Sequence, residues 1–372
     1  MYKRLNTIKL VCILFLSFMA PAAAIDLMLT GSIDEMFDDN INSSTGKEAD
    51  WITEIALGIG LRSEGRRLEV DLIGNIYQTV YIDNSDKNAF SQDLALSVNS
   101  ALTGKISLSL NDVFQHYPES RDFSTMFSRG DAGSGYMSNT FSSRLSVDVT
   151  KQLFFDLQYN NSILENKSET LTDSVQHNPG IDAGYYINSS NIIRAGFMKF
   201  YMKYDNGEKQ EQDRGYAEYE LHFTDQTFAE LQGGYDYIDS TEGQSLDTMW
   251  QVSLTDDVDK NNRLSIVYLK ESIISNIVND TFDNWSITAE LQREINPRTG
   301  IGVSLFYGSG TYEISGITEK LAGASVSLRY LVSDFISFKA GYSYRWNSTA
   351  PPSGDETEYT RNQVSAGVMA EF

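Results

Sequence analysis

The sequence predicts an all-β protein, an antiparallel transmembrane β-barrel of about 18 strands, with roughly 16 as the alternative count. Apolar and polar residues alternate with a period of two along most of the chain, as they do in strands with one apolar and one wet face. The connections between these strands are alternately short and long. With 21 Tyr and 19 Phe among its 372 residues, the chain is too aromatic to be a disordered acidic polypeptide.

Residues 1–24 are predicted to form a secretory signal peptide. A positively charged front precedes an apolar core from Leu10 to Met19, and three alanines offer a cleavage site before Ile25. The apolar core is too short to cross a bilayer as a helix. The single cysteine, Cys12, lies in this segment, so no disulfide is expected after cleavage. Residues 25–372 are expected to form one barrel domain.

The short connections are rich in Gly, Asn, Asp and Ser, which are the residues of tight turns. They fall at residues 63–66, 103–104, 150–151, 189–191, 224–226, 259–262, 296–300 and 333–334. The longer, more polar connections fall at residues 39–50, 83–90, 117–139, 164–180, 205–213, 239–246, 274–284, 313–319 and 347–360. Short turns at one end and long loops at the other are the layout of a bacterial outer-membrane barrel. Pro118 and Pro179 are placed in the loops, because a proline cannot donate to a strand ladder.

The last strand supports the same fold class. In the segment from Gln363 to Phe372, apolar residues occupy every second position counting back from the terminus. This segment resembles the closing strand of bacterial outer-membrane barrels, in which a terminal Phe serves as the assembly signal. The resemblance implies that Phe372 is read by the barrel-assembly machinery. An antiparallel sandwich would show similar alternation, but the number of uninterrupted strands favours the barrel, as do tryptophans close to the long loops, where an aromatic girdle is expected.

The face opposite the apolar one is predicted to line a lumen, since a barrel of this size is wide enough to hold water. The lumen-lining acidic residues are predicted to include Asp148, Asp156, Glu218, Glu220, Glu230 and Glu290. The lumen-lining basic residues are predicted to include Arg329, Lys339 and Arg345. An excess of carboxylates favours cations by its field. The alternatives are that these charges only solvate a polar wall, or that they form cross-strand salt bridges.

The longest loop, from Tyr117 to Asn139, is the third of the long connections. In diffusion porins the third loop folds inward and narrows the pore. We therefore consider Arg121, Arg129 and Asp131 as constriction residues. The alternative is an outer loop that does not enter the lumen.

Enzymatic and metal chemistry are not expected. The three histidines, His116, His177 and His222, do not converge with a serine and an acid at one height of the predicted barrel. The acidic run from Asp257 to Asn261 lacks the glycine and the final glutamate of a calcium-binding loop. The formal net charge of −22 also argues against nucleic acid, which requires clustered Lys and Arg. No catalytic residue, metal site or cofactor is predicted.

The opening of the predicted mature chain carries a family resemblance. Residues 37–41, Phe-Asp-Asp-Asn-Ile, are followed by Asp-Trp-Ile-Thr at 50–53 and Leu-Gly-Ile-Gly-Leu at 57–61. This opening resembles that of a family of β-barrel porins, which usually carries a proline where this chain has Gly58. The resemblance implies an outer-membrane channel surrounded by lipid and lipopolysaccharide. Members are often linked to polysaccharide export, so a polysaccharide conduit working with export components is one alternative to a diffusion porin. A barrel that sheathes a partner protein is the other.

Overall fold

The computed structural model describes residues 25–118, 135–167, 171–240, 243–259, 262–275 and 280–372. The predicted signal peptide, residues 1–24, lies outside the described residues. Arg121, Arg129 and Asp131 of the third long loop also lie outside them.

The described chain forms one sheet of 18 strands. The strands are β1 (Ile25–Asp38), β2 (Asp50–Glu64), β3 (Leu68–Tyr81), β4 (Ala89–Ala101), β5 (Ile106–Tyr117), β6 (Tyr136–Asp148), β7 (Leu153–Asn166), β8 (Ser174–Asn188), β9 (Asn191–Tyr204), β10 (Lys209–His222), β11 (Thr227–Ser240), β12 (Gly243–Asp259), β13 (Asn262–Ile274), β14 (Thr281–Asn296), β15 (Thr299–Tyr312), β16 (Thr318–Leu331), β17 (Ile336–Ala350) and β18 (Thr357–Glu371). A single 3₁₀ turn, Ser85–Lys87, interrupts the connection between β3 and β4. No helix among the described residues is long and apolar enough to cross a membrane.

The sheet closes on itself. Each strand pairs antiparallel with the next, and β18 pairs with β1 from Thr30↔Glu371 to Asp38↔Gln363. The predicted closed barrel and the count of 18 are confirmed, and the alternative of 16 is wrong. We call the end that carries the connections after even-numbered strands the short-turn end, and the other the long-loop end. Both β1 and β18 have their chain termini at the short-turn end.

The two faces of the sheet differ as the alternation predicts. In β17, Phe338 points outward and is 52% exposed, whereas its neighbour Ser337 points inward and is 2% exposed. Large apolar side chains recur on the outward face around the barrel, among them Leu57, Leu231 and Leu305. Because successive residues of a strand point to opposite faces, the inward face carries most of the polar side chains.

Several strands run further toward the long-loop end than the sequence predicts. The loops expected at 205–213 and 239–246 are shorter, because β10 already begins at Lys209 and β12 at Gly243. The apolar repeat stops before the strand does, while the backbone groups beyond it still pair with the neighbouring strand. A pattern of apolar residues therefore underestimates strand length at this end.

The expectation that Pro179 lies in a loop is wrong. Pro179 is within β8 and faces Tyr159 of β7. On the other side of β8, pairing with β9 stops at His177↔Tyr201 and resumes at Gly180↔Met198. Proline has no N–H to donate, so the ladder carries a gap where Pro179 sits.

Most of the buried apolar side chains lie in the long-loop half of the barrel, mainly on its inward face. They form four clusters, made of Phe282, Phe306, Tyr312 and Leu321; of Tyr117, Tyr136 and Leu164; of Met202, Tyr204, Ile238 and Ile274; and of Ile41, Ile52 and Tyr81. Among the residues that the structure describes, these clusters lie at one end of the lumen and not at its centre.

Candidate functional site

The inward face of the barrel is the candidate site, and it carries a cluster of three glutamates. Glu218 and Glu220 are two residues apart on β10 and therefore share a face, and Glu230 of β11 lies directly opposite Glu220. One carboxylate oxygen from each lies within 4.8 Å of the others. Arg194 of β9 forms ion pairs with Glu218 and, at 2.7 Å, with Glu220. His222 Nε2 lies 2.5 Å from Glu220. We call Glu218, Glu220 and Glu230 the glutamate cluster.

A pair of aspartates lies next to the glutamate cluster. Asp156 of β7 and Asp182 of β8 face each other directly in the register, and both are buried. Gln158 and Tyr216 both donate hydrogen bonds to Asp182. Gly196 allows this approach, because a Cβ at that position would collide with Asp182 and with the Tyr216 ring.

The remaining predicted acidic residues lie apart from the glutamate cluster. Asp148 ends β6 at the short-turn end and is exposed, and Glu290 of β14 is exposed on the inward face between Ser265 and Ser304. Within the part of the chain that the structure describes, neither carboxylate makes a salt bridge. They add negative charge to the inward surface without a fixed cation.

The predicted basic residues divide into two environments. Arg329 and Lys339 face each other across β16 and β17 toward the short-turn end, and Arg329 lies 3.8 Å from Glu371. Arg345 lies toward the long-loop end, where it faces Arg361 of β18, and both are buried. Only the first two are therefore in contact with the open part of the lumen.

An open cavity of about 1020 Å³ occupies the short-turn half of the lumen. Arg329 and Lys339 line the part of this cavity formed by β16 and β17, whereas the part formed by β12 to β14 carries Asp257, Arg263, Arg293 and Glu294. Asp257 Oδ1 lies 3.4 Å from Arg263 Nε. Charges of both signs therefore line this half of the lumen.

The sequence did not identify the ion pair that joins the two terminal strands. Arg361 Nε donates to Asp38 Oδ2 at 2.7 Å, and Gln363 Nε2 donates to the same oxygen at 2.9 Å. Asp38 belongs to the Asp-Asp-Asn run at the end of β1, and the next residue, Asp39, accepts a hydrogen bond from the Asn362 backbone at 2.6 Å. The acidic run of the opening segment therefore fastens β1 to β18.

A second ion-pair group, whose pairing the sequence did not predict, lies on β10, β11 and β13. Arg214 donates to Asp236 at 2.7 Å and to Glu271 at 2.9 Å. Gln212 Nε2 donates to the Ser272 carbonyl at 2.8 Å. Because β10 and β13 are not neighbours in the sheet, these bonds show that the wall folds inward at the long-loop end. We call this region, from β9 to β13, the folded corner. The sequence did carry a signal for Arg214. This residue lies two residues before Tyr216, so the alternation along β10 places both side chains on the inward face.

Phe372 lies at the other end of the seam between β1 and β18. Its backbone exchanges two hydrogen bonds of 2.8 Å with Leu29. The residue is 70% exposed, and its ring stacks on Phe335 with the ring centroids 6.0 Å apart. The terminal residue therefore completes the ladder that closes the barrel.

The three histidines lie on different parts of the barrel. His116 and His177 point outward from β5 and β8, and His222 points inward from β10. His177 Nδ1 lies 2.8 Å from the Tyr159 hydroxyl and 3.2 Å from the Asn161 amide nitrogen. Their separation agrees with the expectation that they do not form one site.

No protein-family model and no curated protein matches the sequence. Among solved structures, the fold is similar to that of the outer membrane protein OpdK from Pseudomonas aeruginosa, with 11% identity, 93% of this chain and 99% of that chain covered, and a TM-score of 0.50. It is similar to OccK2 (OpdF) from Pseudomonas aeruginosa, alone and in complex with glucuronate, with 12% identity, 94% and 98% covered, and a TM-score of 0.50. The protein has the fold of an 18-stranded antiparallel outer-membrane β-barrel.

Proposed function

We propose that this protein is a porin-like channel of the outer membrane that passes small polar solutes and ions, with a preference for cations. A barrel of this strand number is wide enough to hold an aqueous lumen. The cavity of about 1020 Å³ in the short-turn half supports a water-filled path there. The complex of OccK2 (OpdF) with glucuronate concerns a barrel of similar fold and supports a small polar solute as cargo.

The preference for cations is supported by how the inward charges are paired. Arg194, Arg214 and Arg361 each lie against a carboxylate, so their positive charge is largely cancelled. The glutamate cluster keeps a net negative charge, because its three carboxylates share one guanidinium, that of Arg194. A fixed negative field raises the local concentration of cations and repels anions. The glutamate cluster is the single observation that carries this part of the proposal.

Reversal potentials in planar bilayers under a potassium chloride gradient test the proposal. We expect a cation-selective reversal potential, and we expect the double variant Glu218→Gln, Glu230→Gln to move it toward zero. Glu35→Gln is a matched control, because Glu35 points outward and accepts a hydrogen bond from Thr53 at 2.9 Å. Anion selectivity of the unaltered protein, or the absence of conductance, would contradict the proposal.

The proposal also includes the protein's delivery and surroundings. After removal of residues 1–24, the barrel would lie in the outer membrane with lipid and lipopolysaccharide around its apolar outward face. The assembly machinery would read Phe372, whose exposed ring and pairing with Leu29 support that role. Fractionation of cells that express the full chain and a chain lacking Phe372 tests both points. Equal outer-membrane yields would argue against the assembly signal.

A further inference from the structure

One stretch of the inward face differs from the charged walls. A cavity of about 600 Å³ lies against β4 to β7 and is lined almost entirely by serine, asparagine and glutamine, with Arg144 as its one charged residue. We infer that this stretch is a binding subsite for an uncharged polyhydroxylated solute of the size of a mono- or disaccharide. The inference rests on the proposed channel function and names a class of solute that the channel would carry.

The register arranges these side chains in two rows. One row runs across four strands through Ser97, Asn111, Ser142 and Asn160. The other, two residues closer to the short-turn end, runs through Asn99, Ser109, Arg144 and Gln158. Neighbouring strands are about 4.8 Å apart, and residues two apart on a strand are about 6.8 Å apart. The rows therefore present a grid of polar groups that spans about 14 Å across the strands and about 7 Å along them. We call this grid the neutral wall.

The chemistry of the neutral wall matches hydroxyl groups. Each amide offers two donors and an acceptor, and each serine hydroxyl both donates and accepts. A sugar hydroxyl has the same dual character, so one amide can bind two adjacent hydroxyls. Carboxylates accept only and ammonium groups donate only. A wall of amides and hydroxyls is therefore selective for solutes that do both.

The groups of the first row are available to a ligand. Within the described residues, Ser97, Asn111, Ser142 and Asn160 make no side-chain hydrogen bond to another protein group, and none of them is fully buried. In the second row, Ser109 donates to Asn99 at 2.8 Å, and Gln158 donates to Asp182. The first row therefore keeps its hydrogen-bonding capacity for a ligand, whereas part of the second row is already hydrogen-bonded to protein groups.

The surrounding charges favour a neutral solute over an acidic one. Arg144 forms no salt bridge within the described part of the chain, so it is free to donate to a hydroxyl or ring oxygen. The buried carboxylates Asp156 of β7 and Asp182 of β8 lie beside the wall. Their two negative charges outweigh the single positive charge of Arg144, so the combined field disfavours an anion. The solute is therefore expected to be uncharged.

The inference is tested by binding, independently of conductance. Saturation-transfer NMR on the purified barrel in detergent would measure the affinity for sucrose, with urea as a small neutral comparison. We expect saturable sucrose binding that weakens about tenfold in the double variant Asn111→Ala, Asn160→Ala, the loss expected for two neutral hydrogen bonds. The matched control is Ser304→Ala, Ser325→Ala, which removes inward hydroxyls from β15 and β16 and should leave the affinity unchanged.

The outcomes separate the two proposals. If sucrose does not bind, or binds equally well to both double variants, the neutral wall is not a subsite, whatever the conductance. If sucrose binds but the protein carries no current in bilayers, the channel proposal fails while the subsite stands. If the affinity for glucuronate exceeds that for sucrose, and the difference disappears in Arg144→Gln, the solutes are acidic sugars. That result would overturn our inference of a neutral solute.

Discussion

The two ends of the lumen use the same residue types in opposite ways. At the long-loop end, Arg361 and Asp38 form an ion pair whose side chains are 1% and 0% exposed. At the short-turn end, Arg329 and Glu371 are 3.8 Å apart with side chains 51% and 44% exposed. Both pairs join strands near the closing seam. One is sealed inside the protein, and the other lies in open water.

The difference shows how position decides what a charge does. A buried ion pair that loses one partner leaves the other charge without solvent, which is costly. An exposed pair is screened by water and contributes little to stability, but its field reaches the solute. The long-loop end therefore holds the barrel together, and the short-turn end is where inward charges can act on what passes through.

The largest effect is expected from breaking the buried pair. Arg361→Ala should lower the free energy of unfolding by about 3–5 kcal/mol, because Asp38 would remain buried without a counterion. Arg329→Ala is the matched control at the short-turn end and should cost less than about 1 kcal/mol. Urea unfolding in lipid vesicles, followed by tryptophan fluorescence, measures both. Similar losses in the two variants would show that the ends do not differ in this way.

Charge changes at two adjacent positions of β17 test whether the outward face tolerates a charge less well than the inward face. Ala340→Arg places a guanidinium on the outward face and should cost about 2–4 kcal/mol near the midplane of the bilayer, less toward its surface. Lys339→Glu changes an inward charge that lines the large cavity and should leave folding nearly intact while shifting selectivity further toward cations. The same unfolding assay applies. Normal folding of Ala340→Arg together with failure of Lys339→Glu would invert the face assignment of β17.

The folded corner offers a test without a change of charge. Gln212→Ala removes the bond to the Ser272 carbonyl and leaves a buried acceptor unsatisfied, at a cost of about 1–3 kcal/mol. Gln251→Ala, on the inward face of β12, is the control and should have little effect, because Gln251 has no side-chain hydrogen bond within the described residues. Hydrogen exchange of the Ser272 region should also accelerate in the first variant alone. If both variants behave alike, the inward fold of the wall does not depend on this contact.

The smallest effect is expected from lowering the pH, which should weaken the attachment of the first long loop to β18. Burial raises the pKa of Asp39, but hydrogen bonds from Lys47 and Asn362 lower it by more, so the pKa lies below its usual range. Asp39 therefore stabilises the attachment of residues 39–49 to β18 above the ordinary aspartate pKa, and this contribution is lost as the pH falls through the lowered value. Hydrogen exchange of residues 39–49, corrected for intrinsic rates, should rise in acid. Asp39→Asn should remove the pH dependence, and a persistent rise in that variant would point to another group.

The sequence by itself predicted the two faces of the strands and a count of about 18, and the closed sheet decided between 18 and 16. Alternation such as that of Phe338, Lys339 and Ala340 is a property of the backbone, because each residue of a strand points opposite to its neighbour. The face of each side chain can therefore be predicted from the sequence without knowing the neighbouring strands. The alternation failed to predict the starts of β10 and β12, where strand hydrogen bonds extend beyond the apolar repeat. It also failed at Pro179, which lies within β8 because the strand loses pairing there on the β9 side only.

Only the tertiary structure decided which inward charges meet. Asp38 and Arg361 are 323 positions apart in the chain, and they touch because the barrel closes. Arg214 and Glu271 are 57 positions apart on strands that are not neighbours, and they touch because the wall folds inward. The sequence grouped Arg345 with Arg329 and Lys339 as lumen-lining cations, but the packing at the long-loop end buries Arg345 and leaves the other two in water. The periodicity of a strand fixes a side chain's face, whereas its burial and its partner depend on the curvature of the whole sheet.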